Sequence, residues 1–289
     1  MALDTYQFTS GLPDFQDLII YKEISLKSMS DHQKTPSLTI FFPCYNDAGT
    51  IGSLVTAADT VAREYTDDYE ILVIDDGSTD HSRELLMELK TKYPNLNLIF
   101  HEQNRGYGGA LKSGFYNATK DLIFYTDGDG QYDVFELRKL IPVLQDDVDI
   151  VNGYKIARSD PLYRKIIGTI YLRLMRLLFN FHVRDVDCDF RLMRREIFSN
   201  VQLHHASGVI CLELVKKLEL AGYRFSDYPV HHYHRAYGKS QFFNFPRLFK
   251  TGINIFKLWW ELNIQRNTPH SIAHTNEQHK GSPSQGKLH

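Results

Sequence analysis

The sequence predicts an α/β fold, a mostly parallel sheet flanked by helices. Two observations carry that expectation. Short apolar runs recur at 38–42 (LTIFF), 69–75 (YEILVID), 96–100 (LNLIF), 121–127 (DLIFYTD) and 148–153 (VDIVNG). Stretches of helical texture separate them, at about 49–66, 80–92, 107–119 and 134–145. Continuous apolar strands alternating with helices belong to a parallel sheet covered on both faces. The second observation is that polar clusters follow the first four runs: PCYND, DDGSTD, HEQNRGYGG and TDGDGQ. Ligands of such sheets sit beyond the carboxyl ends of the strands, so the four clusters are expected to face one crevice.

Past residue 153 the texture changes. PLYRKIIGTIYLRLMRLLFNF (161–181) has helical spacing with Arg164, Arg173 and Arg176 interspersed. The carboxylate-rich RDVDCDFRL follows, then a helix near 207–222, a strand YRFSDYPV and the basic, aromatic HHYHRAYGKSQFF. An amphipathic segment near 242–264 carries Trp259 and Trp260 at its end. The expected organisation is an N-terminal extension (1–36), a main domain (37–240), an amphipathic C-terminal helix (241–266) and a polar, disordered tail (267–289).

The 289 residues give ample material for a core, and the net charge of -2 argues against a general polyanion binder. Cys44, Cys188 and Cys211 are far apart and lack Cys-x-x-Cys spacing. Free thiols in a reducing compartment are expected, without a zinc site or disulfide framework. The amino terminus lacks a secretory pattern, and no run reaches the roughly 18–20 apolar residues of a spanning helix. A cytoplasmic protein is expected, peripheral at the cytosolic face of a membrane if it is membrane-bound. Residues 166–181 and 242–264 mix aromatic, aliphatic and basic residues. Such helices either lie in a membrane interface or pack on the domain, and the sequence leaves both open.

The sharpest feature is YTDGDGQYD (125–133), which gathers Asp127, Asp129 and Asp133 at a strand end. An EF-hand does not fit: counting from Asp127, the sixth and twelfth positions are Tyr132 and Arg138, where Gly and Glu are needed. Mg²⁺ or Mn²⁺ held by one or two carboxylates together with a ligand's phosphate oxygens fits better. Gln131 can orient a metal-bound water or supply an amide oxygen. In DDGSTD, Asp75 and Asp76 end a buried strand, and one of them can accept from ribose hydroxyls or a base N–H. Pro43 and Tyr45 offer a flat contact for a base, with Asp47 as a polar edge. NRGYGGAL lacks the Gly-x-Gly-x-x-Gly order and the Gly-Lys-Ser/Thr ending. Its Arg105 and Gly106 are nonetheless nucleotide-binding candidates, with Gly106, Gly108 and Gly109 admitting close backbone approach.

FFPCYNDAGTI, ILVIDDGSTD, NRGYGGAL, YTDGDGQYD and DFRLMRREIF, in that order, resemble the signature segments of family 2 inverting glycosyltransferases. The likeness covers about residues 37–240 and is nearest to the polyprenyl-phosphate sugar transferases. It implies a nucleotide-diphosphosugar transferase (GT-A) fold for 37–240, a nucleotide-sugar donor and a divalent metal. By the same resemblance Asp127, Asp129 and Gln131 serve the metal, and Pro43, Tyr45, Asp47 and Asp76 serve the nucleotide. Asp47 stands where Glu is commoner. The implied reaction moves a hexose from UDP-glucose or GDP-mannose to a polyprenyl or dolichyl phosphate at a membrane surface. Alternatives are transfer to a sugar or protein hydroxyl, and a non-catalytic sugar-nucleotide-binding protein.

Asp185, Asp187 and Asp189 would share one side if RDVDCDFR were extended. Each is a candidate base, with Asp189 ahead because DFRL resembles the bacterial lipid-linked enzymes. A lipid monophosphate, with a second pKa near ~6, needs positioning more than deprotonation. Lys155, Arg158, Arg164 and Lys239 are the candidates to hold that phosphate. Arg235 resembles the family's late arginine that meets the donor diphosphate. His231 and His232 alternate along a strand without a completing Cys or Asp, which argues against a metal site there.

Overall fold

Each apolar run of the first half forms a strand, and each stretch between them is helical. The computed structural model describes residues 35–156, 162–235, 237 and 245–264. In chain order it contains β1 (Leu38–Cys44), α1 (Ile51–Tyr65), β2 (Tyr69–Asp75), α2 (Ser82–Lys92), β3 (Leu96–Phe100), α3 (Tyr107–Asn117) and β4 (Leu122–Thr126). The N-terminal extension up to residue 34 and the tail from 265 lie outside the described residues.

The helix expected over 134–145 is three short turns, Val134–Glu136, α4 (Leu137–Leu140) and Ile141–Val143. Pro142 lacks the N–H that would extend the ladder, so the coil tightens and stops. The second half adds β5 (Ile150–Ile156), α5 (Leu162–Phe179), β6 (Phe190–Arg194), α6 (Ile197–Asn200), α7 (Ile210–Leu220), β7 (Phe225–His231) and α8 (Phe245–Asn263).

The seven strands form one sheet in the order β3-β2-β1-β4-β6-β5-β7. β1 pairs in parallel with β2 and β4, β2 with β3, and β5 with β7. β6 is antiparallel to both β4 and β5. This strand was not legible as one, because FRLMR carries an arginine at its second position. Arg191 is nevertheless only 1% exposed. The register sets it beside Tyr125 of β4 and Asn152 of β5. Arg191 Nε donates to Asn152 Oδ1 at 2.7 Å, and a second guanidinium nitrogen donates to the Tyr125 hydroxyl. The polar ladder replaces the apolar contact that a strand usually signals.

Both sheet faces are covered. Ile40, Phe42 and Val73 pack with Val55, Ala58 and Val61 of α1. Phe41, Leu72, Ile74 and Tyr125 meet Leu111 and Phe115 of α3 and Leu214 of α7 on the other face. Each large apolar side chain so buried stabilises the fold by about 1.5–3 kcal/mol relative to exposure. A third cluster joins Met175 and Phe179 of α5 to Leu212 and Val215 of α7 and to Ile255 and Leu258 of α8.

Candidate functional site

Parallel pairing aligns the strand ends. Cys44 is opposite Asp75 in the β1–β2 register, and Thr126 is opposite Phe190 in the β4–β6 pair. Asp127 and Asp189, the residues just beyond that last pair, therefore emerge side by side. Asn152 opposite Arg191 places Lys155 of β5 toward the same end.

The β1 and β2 tips are laced together. Asn46, with a φ of 58°, donates its N–H to Ser78 Oγ at 3.0 Å and accepts the Thr79 N–H at 2.8 Å. Asp47 Oδ2 accepts the Tyr45 N–H at 3.1 Å. Burial, helped by the charges of Asp129 and Asp80 and opposed by the Tyr45 N–H and Arg235, pushes the Asp47 carboxyl up to about 6. Tyr45 is 40% exposed at the rim, where a flat ligand can reach it.

Asp75 and Asp76 differ in what they face. Asp75 Oδ1 accepts from Gly77 N, Ser78 N and Arg83 Nε, while its buried Oδ2 has no hydrogen-bond partner. Asp76 Oδ1 meets His101 Nδ1 at 2.6 Å and accepts the Arg105 N–H at 2.8 Å. Asp76 thus ties the β3 tip to β2, and Arg105 keeps its side chain exposed.

At the β4 tip, Asp127 Oδ1 accepts a 2.6 Å hydrogen bond from the Tyr107 hydroxyl. Asp129 Oδ1 accepts the Gln131 N–H at 3.0 Å, and Arg235 pairs with its other oxygen. Gln131 and Tyr233 exchange two bonds, N–H of Tyr233 to the Gln131 carbonyl at 2.8 Å and Gln131 Nε2 to the Tyr233 carbonyl at 3.0 Å. Burial raises the Asp127 carboxyl well above its usual range, and the charges of Asp189 and Asp129 raise it further. Asp129 is raised as well, its burial outweighing Arg235. Thr50 Oγ1 donates to the Gly128 carbonyl at 2.7 Å and holds the loop against the start of α1.

The run 185–189 is a turn and not the extended segment considered from sequence, because Asp185 Oδ1 accepts the Asp187 N–H at 3.1 Å. The three carboxylates consequently separate. Asp189 joins the β4 tip, its Oδ1 accepting from Tyr125 OH at 3.2 Å, Arg191 at 3.3 Å and Cys211 Sγ at 3.1 Å. Asp185 and Asp187 face Lys155, whose ammonium donates to the Asp187 carbonyl and lies 3.9 Å from Asp185 Oδ2. The Lys155 side chain is only 11% exposed and is held inward by these groups. Arg158 and Lys239 lie outside the described residues, as does the Arg164 side chain.

Burial pushes Asp187 from 3.8 up to about 7, with Lys155 opposing and Asp185 and Asp189 adding to the rise. A carboxyl raised on folding takes up a proton between those two values, so the stability it confers falls as pH rises through about 7. Asp187→Asn removes that dependence. Thermal melts in EDTA are expected to show the variant gaining stability relative to the parent between about pH 5 and about pH 8. A gap between the two that does not change with pH would contradict the assignment.

Tyr107, Tyr125, Arg191 and Asn46 were not singled out from sequence, and Cys211 was read only as a free thiol. The signal available for Asn46 was an Asn two residues past a strand, a residue type that tolerates the left-handed region. Arg191 carried none beyond its place in DFRL.

The family model described as "Glycosyl transferase family 2" matches residues 39–202, more than half of the chain. An undecaprenyl-phosphate 4-deoxy-4-formamido-L-arabinose transferase of Yersinia enterocolitica is 28% identical over 216 residues, 74% of this chain and 65% of that protein. The chain thus spans just under two thirds of that relative's length. Glucosyl-3-phosphoglycerate synthase from Mycobacterium tuberculosis, solved with Mn²⁺, uridine diphosphate and glucosyl-3-phosphoglycerate, superposes with a TM-score of 0.61 at 14% identity, covering 90% of this chain and 87% of that one. The same synthase with Mg²⁺ and uridine diphosphate gives 0.60 at 15% identity, covering 90% and 86%. These likenesses show the GT-A fold that the motifs implied.

Proposed function

The chain belongs to glycosyl transferase family 2, and from that premise we propose that it transfers a hexose, with inversion, from UDP-glucose or GDP-mannose to a polyprenyl phosphate at a membrane surface. The observation that carries this reading is the acidic cluster at the β4 tip, where largely buried Asp127 and Asp129 stand beside Asp189, whose charge helps to raise both of their carboxyls. Arg235 counters only Asp129 directly. Among the described residues no three His, Cys, Asp or Glu side chains form a metal site by themselves. That fits an ion completed by a ligand's own phosphate oxygens. Asp127 and Asp129 would hold Mg²⁺ or Mn²⁺, with Gln131 beside them. When bound, the ion supplies charge neutralisation for a departing diphosphate.

The chain's own residues would do the rest. Tyr45 presents its ring to a base, and the orphaned Asp75 Oδ2 offers an acceptor to the nucleoside. Arg235, which pairs with Asp129, would turn to the donor diphosphate. A dianionic acceptor phosphate needs no base, which suits an Asp189 whose Oδ1 already accepts from three donors.

Exposed apolar side chains support the membrane part. Ile167, Ile170, Leu174 and Leu177 form a stripe on α5, and Ile253, Phe256 and Trp260 form one on α8. Arg173, Lys250 and Lys257 are exposed on the same helices. Among the described residues no helix is long and apolar enough to cross a membrane, so these stripes suit helices lying in an interface at the cytosolic face.

The test incubates the protein with radiolabelled UDP-glucose or GDP-mannose, Mn²⁺ and undecaprenyl phosphate in detergent. Label is expected in the organic phase only when both lipid and metal are present. Donor consumed with all label left in water overturns the acceptor, and no consumption of either donor overturns the whole reading.

A further inference from the structure

We propose that Tyr107 is a positioning residue for the divalent cation: its hydroxyl fixes the Asp127 carboxylate so that one oxygen is occupied by the protein and the other is left for the ion. The inference rests on the cation reading of Asp127 and Asp129. Tyr107 and Asp127 come from different strand tips, and the 2.6 Å bond between Tyr107 OH and Asp127 Oδ1 is the direct link between them. With a cation bound the Asp127 carboxyl is ionised, and a phenol facing an ionised carboxylate must donate. The carboxylate is thereby restrained in rotation about its last bond, and Oδ2 keeps its direction.

Tyr107 is itself held rigidly. It opens α3 directly after Gly106, whose φ is 81°. The Gly108 N–H donates to the Ala206 carbonyl at 3.0 Å. A Cβ at Gly106 would stand 2.6 Å from the Ala206 oxygen, and one at Gly108 would stand 2.6 Å from the His205 oxygen. The strap 204–208 therefore presses on the turn that carries Tyr107, at a distance only glycine permits.

Three helices anchor the strap in turn. Glu213 of α7 accepts the N–H groups of His204 and His205 at 2.8 and 2.9 Å. Lys112 of α3 donates to the His204 carbonyl at 2.9 Å, and Asn254 of α8 donates to Ser207 Oγ at 3.2 Å. The Tyr107 ring packs against the core on the α3 face of the sheet, which accounts for the aromatic body but not for its hydroxyl. That hydroxyl serves Asp127.

Residues that orient a ligating carboxylate typically change metal affinity by about 10- to 100-fold when removed. Tyr107→Phe keeps the ring and deletes only the donor. Mn²⁺ is titrated into parent, Tyr107→Phe and Asp127→Asn proteins with saturating UDP, and in parallel with GDP, and free ion is read by electron paramagnetic resonance. The expected result for Tyr107→Phe is a dissociation constant raised by about tenfold or more, a broadened bound-ion spectrum and a melting temperature in EDTA lowered by only a few degrees. Parent-like affinity in Tyr107→Phe, with binding lost in Asp127→Asn, overturns the role of Tyr107 alone. Parent-like affinity in Asp127→Asn, or no binding by the parent, overturns the cation reading and this inference with it.

Discussion

Asp127→Asn is expected to lower turnover by about a thousandfold while leaving the fold intact. Asparagine matches the shape of aspartate and still accepts the Tyr107 hydroxyl, so packing at the β4 tip is kept. What disappears is one negative charge, from a carboxylate that burial and two neighbouring carboxylates already push toward its neutral form. The metal-free variant should therefore melt at or above the parent temperature, because repulsion with Asp129 and Asp189 is relieved. The stabilisation given by Mn²⁺ with a nucleotide should vanish, since only preferential binding to the native state produces it. Turnover close to that of the parent, with the stabilisation retained, would remove the β4 tip from the mechanism.

The second large effect concerns stability. Arg191→Met should destabilise the protein by about 3–5 kcal/mol, because it leaves the partners of a buried cation unpaired. Asp189, Tyr125, Asn152 and the Val186 carbonyl all receive donors from this guanidinium. For a chain of this size the loss corresponds to a melting temperature lower by on the order of 10 °C. Adding Asp189→Asn to Arg191→Met should recover part of that loss, since the residual cost is largely an uncompensated carboxylate. Equal losses in the single and double variants would show that packing, and not charge, sets the cost.

The parallel half of the sheet was legible because β1, β2 and β4 are buried along their whole length and so read as nearly continuous apolar runs. LTIFF and YEILVID left no other reading. β6 was hidden for the opposite reason: its central contact is Arg191 against Tyr125 and Asn152, and polar ladders have no periodicity in hydropathy. The site divided in the same way. Asp127, Asp129 and Asp47 stood in motifs with a chemical rationale, whereas Tyr107 was one aromatic among glycines. Its relevance depends on which loop faces which, and that is set by pairing between strands far apart in sequence. The alternation of Asp185, Asp187 and Asp189 misled because a side chain hydrogen-bonding its own backbone competes with the extended state.

The three cysteines have a consequence of their own. Cys44, Cys188 and Cys211 are all buried and unpaired. Burial pushes Cys44 and Cys188 up to about 12 and Cys211 well above its usual value. At neutral pH almost no thiolate exists at any of them, so an alkylating reagent meets an inert surface. Modification then times a breathing motion, not an encounter. Since Cys211 donates to Asp189 itself, its labelling rate is a clock for how often the acidic centre comes apart.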